Sequence, residues 1–200
     1  TELALQGITE ANAVSVGGVL SGLTRVTHLS IETGSVVKAG TLTTLLKAVS
    51  GTGVKVLAVA GVTNTAASGL IEGVGSLSQV VELSVDLAQV TQLDGAALSG
   101  ALNGSSVVKL AITGVTDANL GQVVEVIKGL THVSELSLDL SRVTTLDAQA
   151  LQGALNGSSV VKLAITGVTN ATVGAVKDAI GGLTHVSELS LDLSQVTQLD

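Results

Sequence analysis

Short runs in which aliphatic and polar residues alternate recur along the whole chain. Each is followed by a stretch in which apolar positions return every three or four residues. Val133 to Ser159 shows the pattern most completely. Leu136, Leu138 and Leu140 alternate with Glu135, Ser137, Asp139 and Ser141, the period of two expected of a strand with one wet face. Asp147 then stands where a helix N-cap belongs, and Leu151 and Leu155 give an i, i+4 stripe. Asn156-Gly157 reads as a stop, because both residues tolerate the left-handed conformation at a helix C-terminus.

The pattern is a repeat. Ala101–Thr116 recurs unchanged as Ala154–Thr169, and Gly129–Ser141 recurs as Gly182–Ser194, both at an offset of 53 residues. Leu57–Thr63 matches Leu110–Thr116 at the same offset, and Leu3–Thr9 matches one residue out of phase. Each period divides into two strand–helix units of 26 and 27 residues. Strands are predicted near 2–6, 27–32, 55–60, 82–87, 108–113, 135–140, 161–166 and 188–193. Helices are predicted near 10–22, 41–49, 64–74, 94–103, 117–129, 147–156 and 170–181. In the helix at 117–129, Asp117 is the expected cap, with Leu120, Val123, Val124, Ile127 and Leu130 on one face. Gly22, Gly51, Gly104, Gly129, Gly157 and Gly181 fall at expected helix ends.

A connection that carries a helix joins parallel strands and crosses over right-handedly. Helices on both faces of the sheet would demand continuous apolar strands. The strands here are apolar only on alternate residues, so all helices are expected on one face. The predicted fold class is therefore α/β, an open right-handed β/α solenoid with a parallel sheet. Residues 1–200 form one repeat domain of about four 53-residue double units, the last truncated. Leu110, Ile112, Leu136, Leu138, Leu189 and Leu191 should share one aliphatic core beneath the helices.

Two families resemble these residues. VSELSLDLSRVTTLDAQALQGAL is similar to the ribonuclease-inhibitor type of leucine-rich repeat, and the likeness runs through every unit. The buried Asn or Cys that follows the strand in that family falls here on Ser141 or Val115, and the units are slightly short for the subtype. LSLDLSRVTTLDAQAL also resembles the STAS domain of sulfate transporters and anti-sigma-factor antagonists, and LAITGVTDANLGQVVEVIKGL resembles the strand and helix before it. The positions matching that family's phosphorylated serine are Ala148 and Gly95, neither of which carries a hydroxyl.

Composition narrows the chemistry. The chain has no Cys, Met, Pro, Phe, Tyr or Trp, and its net charge is −7. The core must be aliphatic, and so restricted an alphabet points to duplication of one small unit or to design. Without Cys there is neither a disulfide framework nor a thiolate metal site, and the compartment is left open, with the cell surface or exterior favoured. The acidic balance and the absence of a basic cluster argue against a nucleic-acid partner. No apolar run is long enough to imply membrane insertion. With no initiator Met and no signal peptide, the chain reads as a mature product or an excised piece.

Candidate chemistry concentrates on the exposed sheet face. Aligning Leu110 with Leu136 produces a row Glu82, Lys109, Glu135, Lys162, Glu188, with neighbours about 4.8 Å apart. It reads as a charge-compensated ladder that sets register or, alternatively, as a strip for a charged ligand. The next row reads Glu32, Asp86, Thr113, Asp139, Thr166, Asp192. Its aspartates stand on alternate strands, about 10 Å apart, too far for two of them to chelate one ion directly. His28, His132 and His185 fall at turns as solvated residues rather than as a zinc set. Asn103-Gly-Ser, Asn156-Gly-Ser and Asn170-Ala-Thr are glycosylation triplets that also suit helix ends. There is no nucleophile elbow and no Walker lysine, so neither an enzyme nor a cofactor is expected.

The expected function is structural, a segment of a longer array or filament. The alternatives are a protein- or glycan-binding recognition module and a STAS-like regulatory partner. Recognition hot spots favour Tyr, Trp and Arg, and this chain offers only Arg25 and Arg142 of these. The expected partner is another copy stacked head to tail, or another protein. Asp200 matches Asp94 and Asp147, so a further helix is expected to begin there.

Overall fold

The computed structural model describes residues 1–34 and 37–198. The expected helix start at Asp200 lies outside them. Eight strands and seven helices alternate among the described residues. The strands are β1 (Glu2–Ile8), β2 (His28–Thr33), β3 (Val56–Ala60), β4 (Glu82–Asp86), β5 (Lys109–Thr113), β6 (Glu135–Asp139), β7 (Lys162–Thr166) and β8 (Glu188–Leu191). The helices are α1 (Ala13–Leu20), α2 (Ala39–Ser50), α3 (Ala67–Val74), α4 (Gly95–Gly104), α5 (Leu120–Lys128), α6 (Ala148–Gly157) and α7 (Val173–Gly181). All strands pair in parallel and in sequence order, forming one open sheet from β1 to β8.

Burial follows the alternation that the sequence shows. In β3 to β7 the second and fourth residues are buried and the others half-buried, the pattern of a sheet covered on one face. Each helix packs against the helices before and after it, so the helices form a single row. The α/β fold, the open parallel sheet and the helices on one side are as the sequence predicts. The core is continuous from Ile8 in β1 to Ala179 in α7 and wholly aliphatic. Leu110, Ile112, Leu136 and Leu138 are buried within it.

The outer end differs from expectation. Leu189 is 46% exposed, and Leu191 is only partly buried. β8 is the outermost strand, and no described helix follows to cover its apolar side. β8 also stops at Leu191 rather than 193, and Asp192 opens a turn in which the Ser194 amide donates to Asp192 Oδ1 at 2.9 Å.

Helix starts are of two kinds. Asp94 and Asp147 cap α4 and α6 as predicted, their Oδ1 atoms accepting from Ala97 N and Ala150 N at 2.9 Å. Asp117 does not cap α5. That helix begins three residues later, at Leu120, and Val126 rather than Val124 lies on its buried face. Helix ends also depart from the left-handed stop expected of Asn156-Gly157. Gly157 is the last residue of α6, and its φ is not positive. Closure comes instead from Ser158, whose hydroxyl donates to Leu155 O at 2.7 Å, and Ser105 does the same to Leu102 O.

Left-handed glycines occur elsewhere. Gly7, Gly61, Gly114 and Gly167 have φ between 66 and 74° and directly follow or lie near the end of the odd-numbered strands. At Gly114 an added Cβ would lie 2.5 Å from Ala88 N and closer still to Asp86 Oδ1. Gly167 meets the Asp139–Ser141 turn in the same way, while Gly7 has open space around it. An Asp turn in one unit is thus fitted against a glycine in the next.

Candidate functional site

The helix-free face carries three parallel rows, each drawn from the outward residues of successive strands. In the first, Glu82, Lys109, Glu135, Lys162 and Glu188 stand in direct register. Lys109 Nζ lies 3.3 Å from both Glu82 Oε1 and Glu135 Oε2. Lys162 Nζ lies 3.1 Å from Glu188 Oε1 and 4.0 Å from Glu135 Oε1. Hydrogen bonds to Glu82 and then Glu135, with their charges, push the Lys109 ammonium above its usual range. Towards β1 the same row continues as Val56, His28 and Glu2, without alternating charge.

The middle row alternates Ser84, Ala111, Ser137, Ala164 and Ser190. Together with the charged row these small residues floor a shallow trough of ≈ 440 Å³. The third row holds Asp86, Thr113, Asp139 and Thr166, with Asp192 just beyond β8. Its aspartates spend their oxygens locally. Asp86 Oδ1 accepts from Ala88 N, Asp139 Oδ1 from Ser141 N, and Asp192 Oδ1 from Ser194 N, each at 2.9 Å. The Ser194 amide and then its hydroxyl hold the Asp192 carboxyl below the ordinary aspartate value. Glu32 pairs in register with Ala60, so the row has no acidic partner on β3. No cluster of three or more His, Asp or Glu side chains suited to a metal occurs among the described residues.

The histidines do not converge. His28 starts β2, with Nδ1 3.0 Å from Thr27 Oγ1, and His132 is exposed. His185 is not the solvated turn residue expected. It is half-buried, and its Nε2 is shielded from solvent without a hydrogen-bond partner.

The polar side chains with the most defined geometry lie at the joints between units, and sequence reasoning largely missed them. Asn103 Nδ2 donates to Gly129 O at 2.8 Å, and its Oδ1 accepts from Thr131 N at 2.9 Å. Asn156 repeats this with Gly182 O and Thr184 N. A second joint follows the odd strands. Asn64 Oδ1 accepts from Thr91 N and Gln92 N, and Asn170 Oδ1 accepts from Thr197 N. Asp117 occupies the equivalent place and accepts from Thr144 N and Thr145 N at 2.9 and 3.0 Å, and from the Thr144 hydroxyl at 2.5 Å. These bonds, the Thr144 hydroxyl first, hold its carboxyl below the usual range.

A third joint is buried. Asn119 is fully enclosed, and its Nδ2 donates to Leu87 O and Val90 O at 2.9 Å while its Oδ1 accepts from Thr116 N. The equivalent residues are Thr172, Ala66 and, in the phase-shifted first repeat, Asn12, which accepts from Thr9 N in the same way but is exposed, so the buried amide is single rather than a ladder. The signal for the two outer joints was the recurrence of Asn or Asp at the repeat period (Asn103 and Asn156; Asn64, Asp117 and Asn170), and Asn119 carried no such signal. The recurrence marks the positions without saying which neighbour each one grips.

The arrangement defines a class: a β/α repeat protein whose units build one all-parallel eight-stranded sheet. Comparison with known family models finds no match, and comparison with curated proteins finds none either. No described helix is long and apolar enough to cross a membrane.

Proposed function

We propose that the chain is a non-enzymatic structural module, a segment of an extended β/α array of leucine-rich-repeat-like architecture. The observation that carries this reading is where the polar side chains are spent. Asn64, Asn103, Asp117, Asn119, Asn156 and Asn170 each grip the following or preceding unit through backbone groups. The charged row likewise ties strand to strand. Such bonds set register and limit flexing between units, which suits a spacer. Sedimentation of the chain over a concentration series, with micrographs of the same samples, tests the proposal. An array module associates end to end into rods as concentration rises. A monodisperse monomer throughout, with β1 and β8 amides protected within one chain, contradicts it.

A second reading, recognition of a protein or glycan on the sheet face, is supported by the trough along Ser84 to Ser190. Ser137→Arg fills that trough without touching a joint. It would block such a ligand and leave end-to-end association unchanged.

A further inference from the structure

Two of the asparagine joints stand on a chemically labile pair of residues. Of the six asparagines, Asn103 and Asn156 alone precede a glycine. Neither Gly104 nor Gly157 has a conformational or steric reason to be glycine. Each is the last residue of its helix, with φ outside the left-handed region, and a Cβ at either would meet open space. Gly114 and Gly167, by contrast, are left-handed and crowded. A glycine that the fold does not require weakens its helix relative to alanine. What it alters besides is the reactivity of the asparagine before it.

An Asn–Gly pair loses ammonia when the glycine nitrogen attacks the asparagine Cγ. The bond formed is Gly104 N–Asn103 Cγ, and the bond broken is Cγ–Nδ2. The glycine N–H proton departs with Nδ2 as ammonia and leaves a five-membered succinimide. Water then adds to one of the two ring carbonyls, and the ring opens to aspartate or isoaspartate. A side chain on the following residue hinders the attack, and glycine has none.

The folded chain ties down both reacting groups. Asn103 Nδ2 donates to Gly129 O at 2.8 Å while Oδ1 accepts from Thr131 N at 2.9 Å. Asn156 is held by Gly182 O and Thr184 N at 2.9 and 3.0 Å. The Gly104 and Gly157 amides belong to the last turns of α4 and α6, where each is committed to the carbonyl four residues back. Attack therefore waits until the joint opens. Once it has occurred, the joint cannot close as before. Aspartate offers no donor to Gly129 O, and its carboxylate would set one acceptor against another. The neighbouring kind of joint tolerates a carboxylate, because everything Asp117 holds is a donor: Thr144 N, Thr145 N and the Thr144 hydroxyl.

We infer that Asn103 and Asn156 are spontaneous modification sites, at which deamidation turns the opening of a joint between units into a permanent break. The device lies within one chain and works alike in a monomer or a rod.

The chain supplies its own control. Residues 101–116 and 154–169 are identical, so both sites share one chemical rate when unfolded. The full chain is aged at neutral pH with and without urea. Conversion at each asparagine is read by peptide mass spectrometry, and exchange of the Thr131 and Thr184 amides by nuclear magnetic resonance. In urea, Asn103 and Asn156 convert equally and many-fold faster than Asn64, which precedes threonine. In buffer each slows by at least the factor that protects Thr131 or Thr184. Gly104→Ala, which the open space admits, keeps the fold and stops conversion at Asn103 while sparing Asn156. Asn103→Asp speeds Thr131 exchange about tenfold and leaves Thr184 protected. Should that variant not fold, chains aged in urea and returned to buffer replace it, and only unconverted chains recover Thr131 protection. Conversion of Asn64 as fast as Asn103 in urea overturns the sites. Conversion in buffer as fast as in urea overturns the lock. Full Thr131 protection in Asn103→Asp, or in converted chains, overturns the permanent break.

Discussion

Replacing Gly114 with alanine separates two costs that the fold imposes on its left-handed glycines. Gly114 has φ 67°, and its added Cβ would press on Asp86 Oδ1 and on the Ala88 backbone, with Ala88 N at 2.5 Å. Gly7 has φ 66° and nothing within 4 Å of the same atom. An alanine in this conformation costs about 1–2 kcal/mol from its own backbone. That is the whole expected loss for Gly7→Ala. For Gly114→Ala the crowding of a fixed turn adds about 1–3 kcal/mol, since the neighbours are backbone and a tethered carboxylate rather than a mobile side-chain tip. The expected total is about 2–5 kcal/mol. Gly100, inside α4 with open space around it, gives the opposite sign. There alanine should stabilise by about 0.4–1 kcal/mol through the unfolded chain. Urea titrations followed by circular dichroism, with matched m-values, read all three. If Gly114→Ala falls within half a kilocalorie of Gly7→Ala, about the spread of independent sites, the Asp-turn and glycine fit is not a structural joint.

Three other outcomes follow from the core, the charged row and the Asp117 joint. Leu138→Ala removes a side chain 1% exposed and should cost about 2–5 kcal/mol in a denaturant titration; a loss under about half a kilocalorie would mean that the strand faces are inverted. Lys109→Glu places like charges between Glu82 and Glu135, so it should destabilise modestly at low salt, and added salt should erase most of the difference. A salt-independent loss would mean that the row is not a screened surface ladder. Asp117 has a folded-state pKa depressed by Thr144 and Thr145, so its contribution is present above the ordinary value near 3.8 and is lost as pH falls below it. Asp117→Asn, the residue found at the matching positions 64 and 170, should keep stability at neutral pH and remove that part of the acid loss. Parallel melts at neutral pH and near pH 3 compare the two, and an unchanged acid loss in the variant would contradict the assignment.

The fold was legible because its determinants are local and repeated. Period-two strands, Asp94 and Asp147 at helix starts, and the 53-residue offset together leave one arrangement of parallel strands with helices on one side. The charged row could also be placed, since parallel register follows from aligning Leu110 with Leu136. What escaped were interactions between units. Asp117 looks like a helix cap because it stands near the start of an apolar stripe, yet a capping side chain and one reaching Thr144 leave the same trace in sequence. Asn156-Gly157 carries the signature of a left-handed stop, but Ser158 closes the helix and frees Asn156 to bind Gly182 and Thr184. Gly114 and Gly167 recur visibly, although nothing in the sequence says that their space is taken by an aspartate turn from the preceding unit. The exposure of Leu189 is likewise a property of what lies beside β8, not of β8 itself.

The claim on which the structural role rests is that asparagine and aspartate side chains lock neighbouring units together from β3 onward. The most direct measurement is hydrogen exchange resolved to the amides of Thr131, Thr144 and Thr184, which lie outside every strand and helix. Each donates to a side-chain oxygen of the preceding unit at 2.9 to 3.0 Å. The account predicts that these loop amides exchange far more slowly than unbonded surface amides, and that Asn103→Ala releases Thr131 while Thr184 stays protected. Free exchange at all three positions in a chain whose interior strands remain protected would contradict it.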